Sequence, residues 1–357
     1  MNLGVYCETL EPDALQDPEV KDLLAAYKVT LGHALRYPEE GGGFDPDLLS
    51  SRLDLACRLR ESECGYALWP LLPKSMGYWV NERNLDATDR MADAIIEGCR
   101  RFGAKPDLLI MDVETSWQQT EAVLFPGPPA WRKAFSVLHM LFANRDPARF
   151  ARSVSRLSSI VDRLRREVAP VAATAFPLLV ADLAVQGNAM QDYLEMPVFP
   201  VKFDAWNAMF YNSYMPAAMP WLVPHEGAAR MLYEYASILS GRFGQGAWIT
   251  LGSTWEGVLP GNEGRTYPRA EMLAPDVASA KAAGVATLWL YCLEGVLYQD
   301  QKLTKRRPRD EAERFFAVMS ETPAAEPAMN PKWSRGRRIL ERIAKDRRKA
   351  AYGWDKI

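Results

Sequence analysis

The sequence predicts an α/β fold, a (β/α)8 TIM barrel followed by a basic C-terminal helical extension. Three observations carry this expectation. Eight strand-like runs alternate with helical patterns, and the helix ends carry fitting caps. No glycine-rich phosphate loop follows the first run, as one would in an open doubly wound sheet built to bind a nucleotide. At 357 residues the chain is long for one domain, yet ordinary for this barrel.

The strand candidates, rich in β-branched and aromatic residues, are Leu3–Cys7, Lys28–His33, Gly65–Leu72, Leu108–Glu114, Val171–Leu179, Phe203–Asn212, Ala247–Gly252 and Val285–Cys292. Helical patterns fall between them at Asp17–Tyr27, Pro46–Arg60, Asp89–Phe102, Ala130–Val168, His225–Phe243, Arg269–Ala283 and Arg309–Met319. The link from Ala181 to Pro200 shows no clear helix. Asp17 can accept from the free N–H groups of its first turn, and Pro18 loses no helical bond there. Gly103, Gly244 and Gly284 each end a helical pattern just before a strand, where a left-handed cap is easiest for glycine.

The barrel is expected over residues 1–322, a proline-containing linker over 323–331, and a basic helical tail over 332–357. In the tail, Ile339, Leu340, Ile343 and Ala344 recur at helical spacing among Arg337, Arg338, Arg342, Arg347 and Arg348. That pattern suits a helix docked on the barrel, or a segment contacting a partner or an anionic surface.

Apolar residues make up 48% and charged residues 25% of the chain, with a formal net charge of −2. This balance argues against nucleic acid as a partner, which would call for a strongly basic domain. A neutral substrate fits better. No run approaches the roughly 18 apolar residues of a membrane helix, so no integral membrane segment is expected. The start, MNLGVYCETL, lacks a signal-peptide pattern and reads as cytoplasmic, or as secreted or periplasmic if a leader has been removed. The five cysteines form no CxxC pair and the three histidines are dispersed, so neither a metal nor a cofactor is expected.

In such a barrel the active site lies at the carboxyl ends of the strands. The fourth strand ends in Leu108-Leu-Ile-Met-Asp112-Val-Glu114. Alternation puts Asp112 and Glu114 on one face, the inside of the barrel mouth. Two carboxylates so close cannot both ionise freely, and a carboxyl with a raised pKa is what a general acid working near neutrality needs. The bland alternative is an ion pair with a basic residue of a neighbouring strand.

Other candidates follow from position. Glu8 ends the first strand, Glu294 and Glu256 follow the eighth and seventh, and Glu82 sits in the loop after the third. His33 lies near the end of the second strand, as ligand contact or satisfied structural group. The eleven tryptophans are many for this length. Trp69, Trp117, Trp255 and Trp289 fall near strand ends, where aromatic faces could pack against sugar C–H groups. Trp206 and Trp248 read as core.

The fourth strand also resembles that of the family 18 glycoside hydrolases, the chitinases and related endo-β-N-acetylglucosaminidases. Their pattern is Asp-x-x-Asp-x-Asp-x-Glu; here Asp107, Asp112 and Glu114 match and Ile110 replaces the middle Asp. Met209-Phe-Tyr211-Asn212 is similar to the family's sixth-strand motif, and Trp289 to the tryptophan of its eighth. The resemblance implies a retaining, substrate-assisted hydrolysis of a β-linked, N-acetylhexosamine-containing glycan. Glu114 would protonate the leaving oxygen, Asp112 would orient the 2-acetamido group, and Tyr211 would donate a hydrogen bond to it. Asn212 and Trp289 would contact substrate. Two alternatives stay open: a retaining glycosidase with a second Glu as covalent nucleophile, and a carbohydrate-binding barrel without hydrolysis.

Overall fold

The computed structural model describes residues 1–40, 43–124, 143–218, 223–257 and 265–345. Eight parallel strands close on themselves: β1 (Asn2–Cys7), β2 (Thr30–Arg36), β3 (Tyr66–Leu71), β4 (Leu108–Asp112), β5 (Val171–Ala175), β6 (Ala205–Phe210), β7 (Ala247–Gly252) and β8 (Thr287–Tyr291). β8 pairs back onto β1, with Gly4 opposite Trp289. Helices Pro18–Ala26, Pro46–Glu61, Leu85–Phe102, Pro147–Glu167, Ala228–Phe243, Ala274–Ala282 and Arg309–Glu321 supply the outer layer. The expected helix over 130–168 begins among residues outside those described. Asp17 caps its helix as its position suggests, accepting from Glu19 N at 2.9 Å. Gly103 takes a left-handed φ of +64° at the end of Leu85–Phe102, where a side chain would be strained.

Two segments depart from expectation. β2 runs from Thr30 to Arg36, beyond its expected end at His33. The β5–β6 link is not helix-free: it forms two short helices, Val180–Val185 and Ala189–Leu194. These are too short to cover their sector, and the C-terminal helix Pro331–Ala344 packs over them and against Ala228–Phe243. Asn330 caps that helix by accepting from Trp333 N at 3.0 Å. Trp333 is fully buried and donates its indole N–H to Glu234 at 2.9 Å, with Arg337 on the same carboxylate at 3.0 Å. The approach is so close at Gly187 that a Cβ there would stand 2.5 Å from the Ala344 carbonyl oxygen. Arg335, Arg338 and Arg342 face solvent; the rest of the basic tail, from 346 on, lies outside the described residues.

Strand alternation splits the core in two. Outward residues such as Val5, Leu31, Leu35, Leu68, Met111 and Leu290 join the barrel-to-helix core, while Tyr6, Ala34, Trp69, Ile110 and Trp289 fill the barrel. The interior is organised by Trp289, whose indole crosses the barrel into space left by missing side chains. A Cβ at Gly4 would lie 2.4 Å from its ring and one at Gly32 3.0 Å away. Ile110 packs in this same floor, which explains an apolar residue where the family 18 pattern has an acid. Trp289→Ala is expected to destabilise the chain by about 3–5 kcal/mol. Chemical denaturation would check this, and a loss near zero would mean the barrel floor is not packed around this ring.

Candidate active site

Above the tryptophan floor lies a polar girdle. The Tyr6 hydroxyl pairs with Thr174 Oγ1 at 2.7 Å and accepts from Asn207 Nδ2 at 2.9 Å, while Thr250 donates to Asn207 Oδ1 at 3.0 Å. On this girdle stand the carboxylates. Asp112, on the inward face of β4, and Glu114, just past the strand, are buried, at 3% and 5% exposure. A short parallel bridge between Val80 and Val113 holds the loop after β3 beside them, with Glu114 N donating to the Val80 carbonyl at 3.1 Å.

The two side chains hydrogen-bond to each other. Burial pushes Asp112 up to about 7, and the negative charge of Glu8 adds to the rise while Glu114 and the Trp69 indole draw it down. Burial, the charge of Asp112 and the donated hydrogen bond raise Glu114 well above the usual carboxyl range. Two buried carboxyls so placed titrate as a pair, and ionising both together is disfavoured. The Trp69 N–H faces Asp112 but outside good hydrogen-bond geometry, so Nε1 and Asp112 Oδ1 both remain buried without a partner. Such orphans are costly unless a ligand or water completes them.

Glu8, at the end of β1, is buried too. The hydroxyls of Tyr78, at 2.9 Å, and of Tyr291 donate to its two oxygens. Burial raises its pKa; the two phenols pull it back. Tyr211 stacks near Tyr291, ring centroids 5.3 Å apart. It lies close enough to Asp112 and Glu114 that, after burial, their charges raise its own pKa. Its hydroxyl rests on the Met209 sulfur at 3.2 Å, a weak acceptor that a carbonyl oxygen would readily replace. The wall beside them is aromatic: Trp117 lies 5.5 Å from Tyr78 and 5.7 Å from Trp79, centroid to centroid, and Lys74 Nζ sits 3.7 Å over its ring. Trp255 is half-buried beyond β7, its N–H on the Gln301 carbonyl at 3.4 Å.

Several expected substrate contacts are placed elsewhere. His33 shares the parity of Leu31 and Leu35 and faces the helix layer. Its Nε2 meets the Leu10 carbonyl at 2.8 Å and its Nδ1 the Tyr66 hydroxyl at 3.2 Å. Burial lowers it to about 3, so it is a neutral structural group. Trp289, at 1% exposure, is floor rather than platform; Tyr291, two residues on, takes the position at the mouth. Asn212 cannot face inward beside Tyr211, and its amide donates to Asp276 at 2.7 Å. Glu294 is fully buried and accepts from the backbone N–H groups of Glu8, at 2.7 Å, and Thr9, at 2.6 Å. Glu82 is paired with Arg149 at 2.7 Å, in a cluster where the same arginine also meets Glu195 at 2.8 Å. Burial still lifts Glu82 to about 8.

Tyr78 and Tyr291, both on Glu8, join the site from outside the expected set. The signal for Tyr291 was available, since it is inward by alternation and ends β8. Non-proline cis peptides follow at Gly252–Ser253 and Tyr291–Cys292. Among the described residues, no group of three or more His, Cys, Asp or Glu could hold a metal, and no helix is long and apolar enough to cross a membrane.

A closed eight-stranded parallel barrel with inward carboxylates at the carboxyl ends of its strands defines the class: a (β/α)8 barrel. No family model matches the chain, and no curated protein matches it. Solved structures do. A family 1 β-glucosidase from Thermotoga maritima is similar at a TM-score of 0.54 and 14% identity, over 91% of this chain and 98% of that one. A β-glucosidase from Exiguobacterium marinum gives 0.54 and 14% over the same shares, 91% and 98%. A Bacteroides ovatus GH5 xyloglucanase gives 0.51 and 11% over 89% and 75%. At such identities the likeness establishes the fold. The Thermotoga maritima protein is named as family 1 and the Bacteroides ovatus one as GH5, so they lend nothing to the family 18 resemblance, which rests on the motif residues alone.

Proposed function

We propose that this barrel is a glycoside hydrolase that cleaves a β-linked, N-acetylhexosamine-containing glycan with retention. The observation that carries the reading is the buried Asp112–Glu114 pair at the mouth, where burial raises both carboxyls above their usual range. Glu114 is then the general acid that protonates the leaving oxygen. Asp112 is the acceptor for the N–H of a 2-acetamido group, its Oδ1 already lacking a partner. Tyr211 supplies the donor for the acetamido oxygen, which attacks the anomeric carbon in place of an enzyme nucleophile. Trp79 and Trp69 supply the apolar wall beside which the sugar ring would lie.

The arrangement of other carboxylates supports substrate assistance over a covalent enzyme intermediate. The inward residues of β7 are Trp248, Thr250 and Gly252, none of them acidic, and Glu294 has its Oε1 held by the backbone N–H groups of Glu8 and Thr9. A retaining enzyme with a covalent nucleophile is the second reading, and Glu8 is the residue that favours it, because its charge reaches Glu114.

The test is hydrolysis of aryl β-glycosides with and without a 2-acetamido group, with product anomers followed by NMR. Turnover of the N-acetylated substrate alone, retention, and inhibition by the matching thiazoline are the expected results. Equal turnover of the 2-hydroxy sugar without thiazoline inhibition would reject substrate assistance.

A further inference from the structure

We infer that Glu8, fixed at the end of β1 by contacts from two other segments, is a positioning residue of this site: its carboxylate is the standing negative charge against which the Asp112–Glu114 pair keeps its proton. The inference rests on the glycosidase reading above and adds to it a residue from a different strand.

The case begins with how much of the fold is spent on holding this one side chain. Glu294, beyond β8, accepts from the backbone N–H of Glu8 and of Thr9, at 2.7 and 2.6 Å, and from the Thr9 hydroxyl at 3.1 Å. That fixes where β1 ends. Tyr78, from the loop after β3, and Tyr291, at the end of β8, then donate one hydroxyl to each Glu8 oxygen. Both donors are neutral. They orient the carboxylate and make its ionised form tolerable, but they do not cancel its charge.

Among the described residues, the groups facing Glu8 include Tyr78, Tyr291, Cys292, Glu294, Asp112, Glu114 and the cation Arg36. Arg36 is exposed at the end of β2, so solvent screens it. The loop that carries Tyr78 is bridged to the end of β4 through Val80 and Val113, and Glu114 N donates to the Val80 carbonyl, so Glu8, held by Tyr78, stands beside the buried pair and its field falls there. Of the three carboxyls, Glu8 accepts two hydroxyl hydrogen bonds, Asp112 accepts from Glu114, and Glu114 donates. Two hydroxyl donors on Glu8 favour its ionised form.

The experiment is Glu8→Gln in the full chain. It removes the charge and keeps the shape. The basic limb of the kcat/KM–pH profile is expected to move to lower pH by about one unit, as for loss of a close like charge. On the acid side of the new limb, kcat is expected to stay within about tenfold of the parent. A merely structural role would lower activity without moving the limb, and an unmoved limb overturns the inference. So would loss of activity at every pH that added azide restores with a glycosyl azide product, because Glu8 would then be the nucleophile.

A parallel titration of Glu114 by carbon-13 carboxyl NMR, in parent and variant, reads the same coupling without turnover. If the parent hydrolyses no glycan, the glycosidase reading fails. The placement of Glu8 still stands or falls on whether that titration moves down. If Glu8→Gln does not fold, Glu8→Met, which removes the same charge without burying an amide, is expected to move the Glu114 titration down in the same way, and no movement there overturns the inference.

Discussion

Glu114→Gln is expected to lower turnover by about 10²- to 10⁴-fold, the usual worth of a positioned general acid, while the chain stays folded. Glutamine keeps the volume and can still hydrogen-bond Asp112, but it has no proton to give to a leaving oxygen. The loss should therefore depend on the leaving group. An alkyl or sugar alcohol needs protonation and should show the full effect. A nitrophenolate leaves well as an anion and should lose much less. Fold integrity is read by the far-ultraviolet spectrum and the unfolding midpoint. The signature is this divergence: a uniform loss across leaving groups would assign Glu114 to binding or structure, and near-normal activity on a sugar leaving group would remove it as the acid.

The divergence would also separate what alternation makes legible from what it does not. Period-two spacing puts Asp112 and Glu114 on an inward face, Tyr211 enters only through the sixth-strand motif likeness, and cap residues such as Asp17 and Gly103 mark the helices around them. Parity fails where the strand's end is misjudged. β2 read as ending at His33 makes that histidine look like a mouth residue, whereas the strand continues to Arg36 and its outward set is Leu31, His33 and Leu35. Trp289 sits on the inward parity as expected, but one layer too deep, because Gly4 and Gly32 leave room for its ring inside the barrel. The Tyr211-Asn212 pair was read as if both could face the sugar, which adjacent strand residues cannot do.

Beyond strand ends, periodicity has nothing to say. Glu294 reaches Glu8 across 286 positions of sequence, and Glu82 meets Arg149 across 67. Those contacts depend on how loops return over the barrel, and local pattern does not encode that return. The same holds for the C-terminal helix. Its apolar spacing was legible, but its seat over the β5–β6 link depends on how short Val180–Val185 and Ala189–Leu194 turn out to be.

Asp112→Asn is expected to cost activity and gain stability together, with the gain set by pH. Asp112 titrates near 3.9 in an unfolded chain and at about 7 in the folded one, chiefly because it is buried. Between those values the folded state binds more protons than the unfolded state, so stability falls as pH rises through that window. The penalty is absent near pH 4 and fully present by about pH 8. Asparagine carries no charge at either pH. The variant should match the parent at low pH and exceed it at high pH, by about 1–3 kcal/mol, given 1.36 kcal/mol per unit and the part of the shift shared with Glu114.

Activity should move the other way. Without the neighbouring charge Glu114 gives up its proton more easily, and the acetamido N–H loses its acceptor, so turnover should fall about 10²-fold or more. Urea unfolding of both proteins at the two pH extremes supplies the stability difference. A variant no more stable than the parent at high pH would mean that Asp112 is already comfortable as an ion, and the proton-sharing pair on which the catalytic reading depends would not exist.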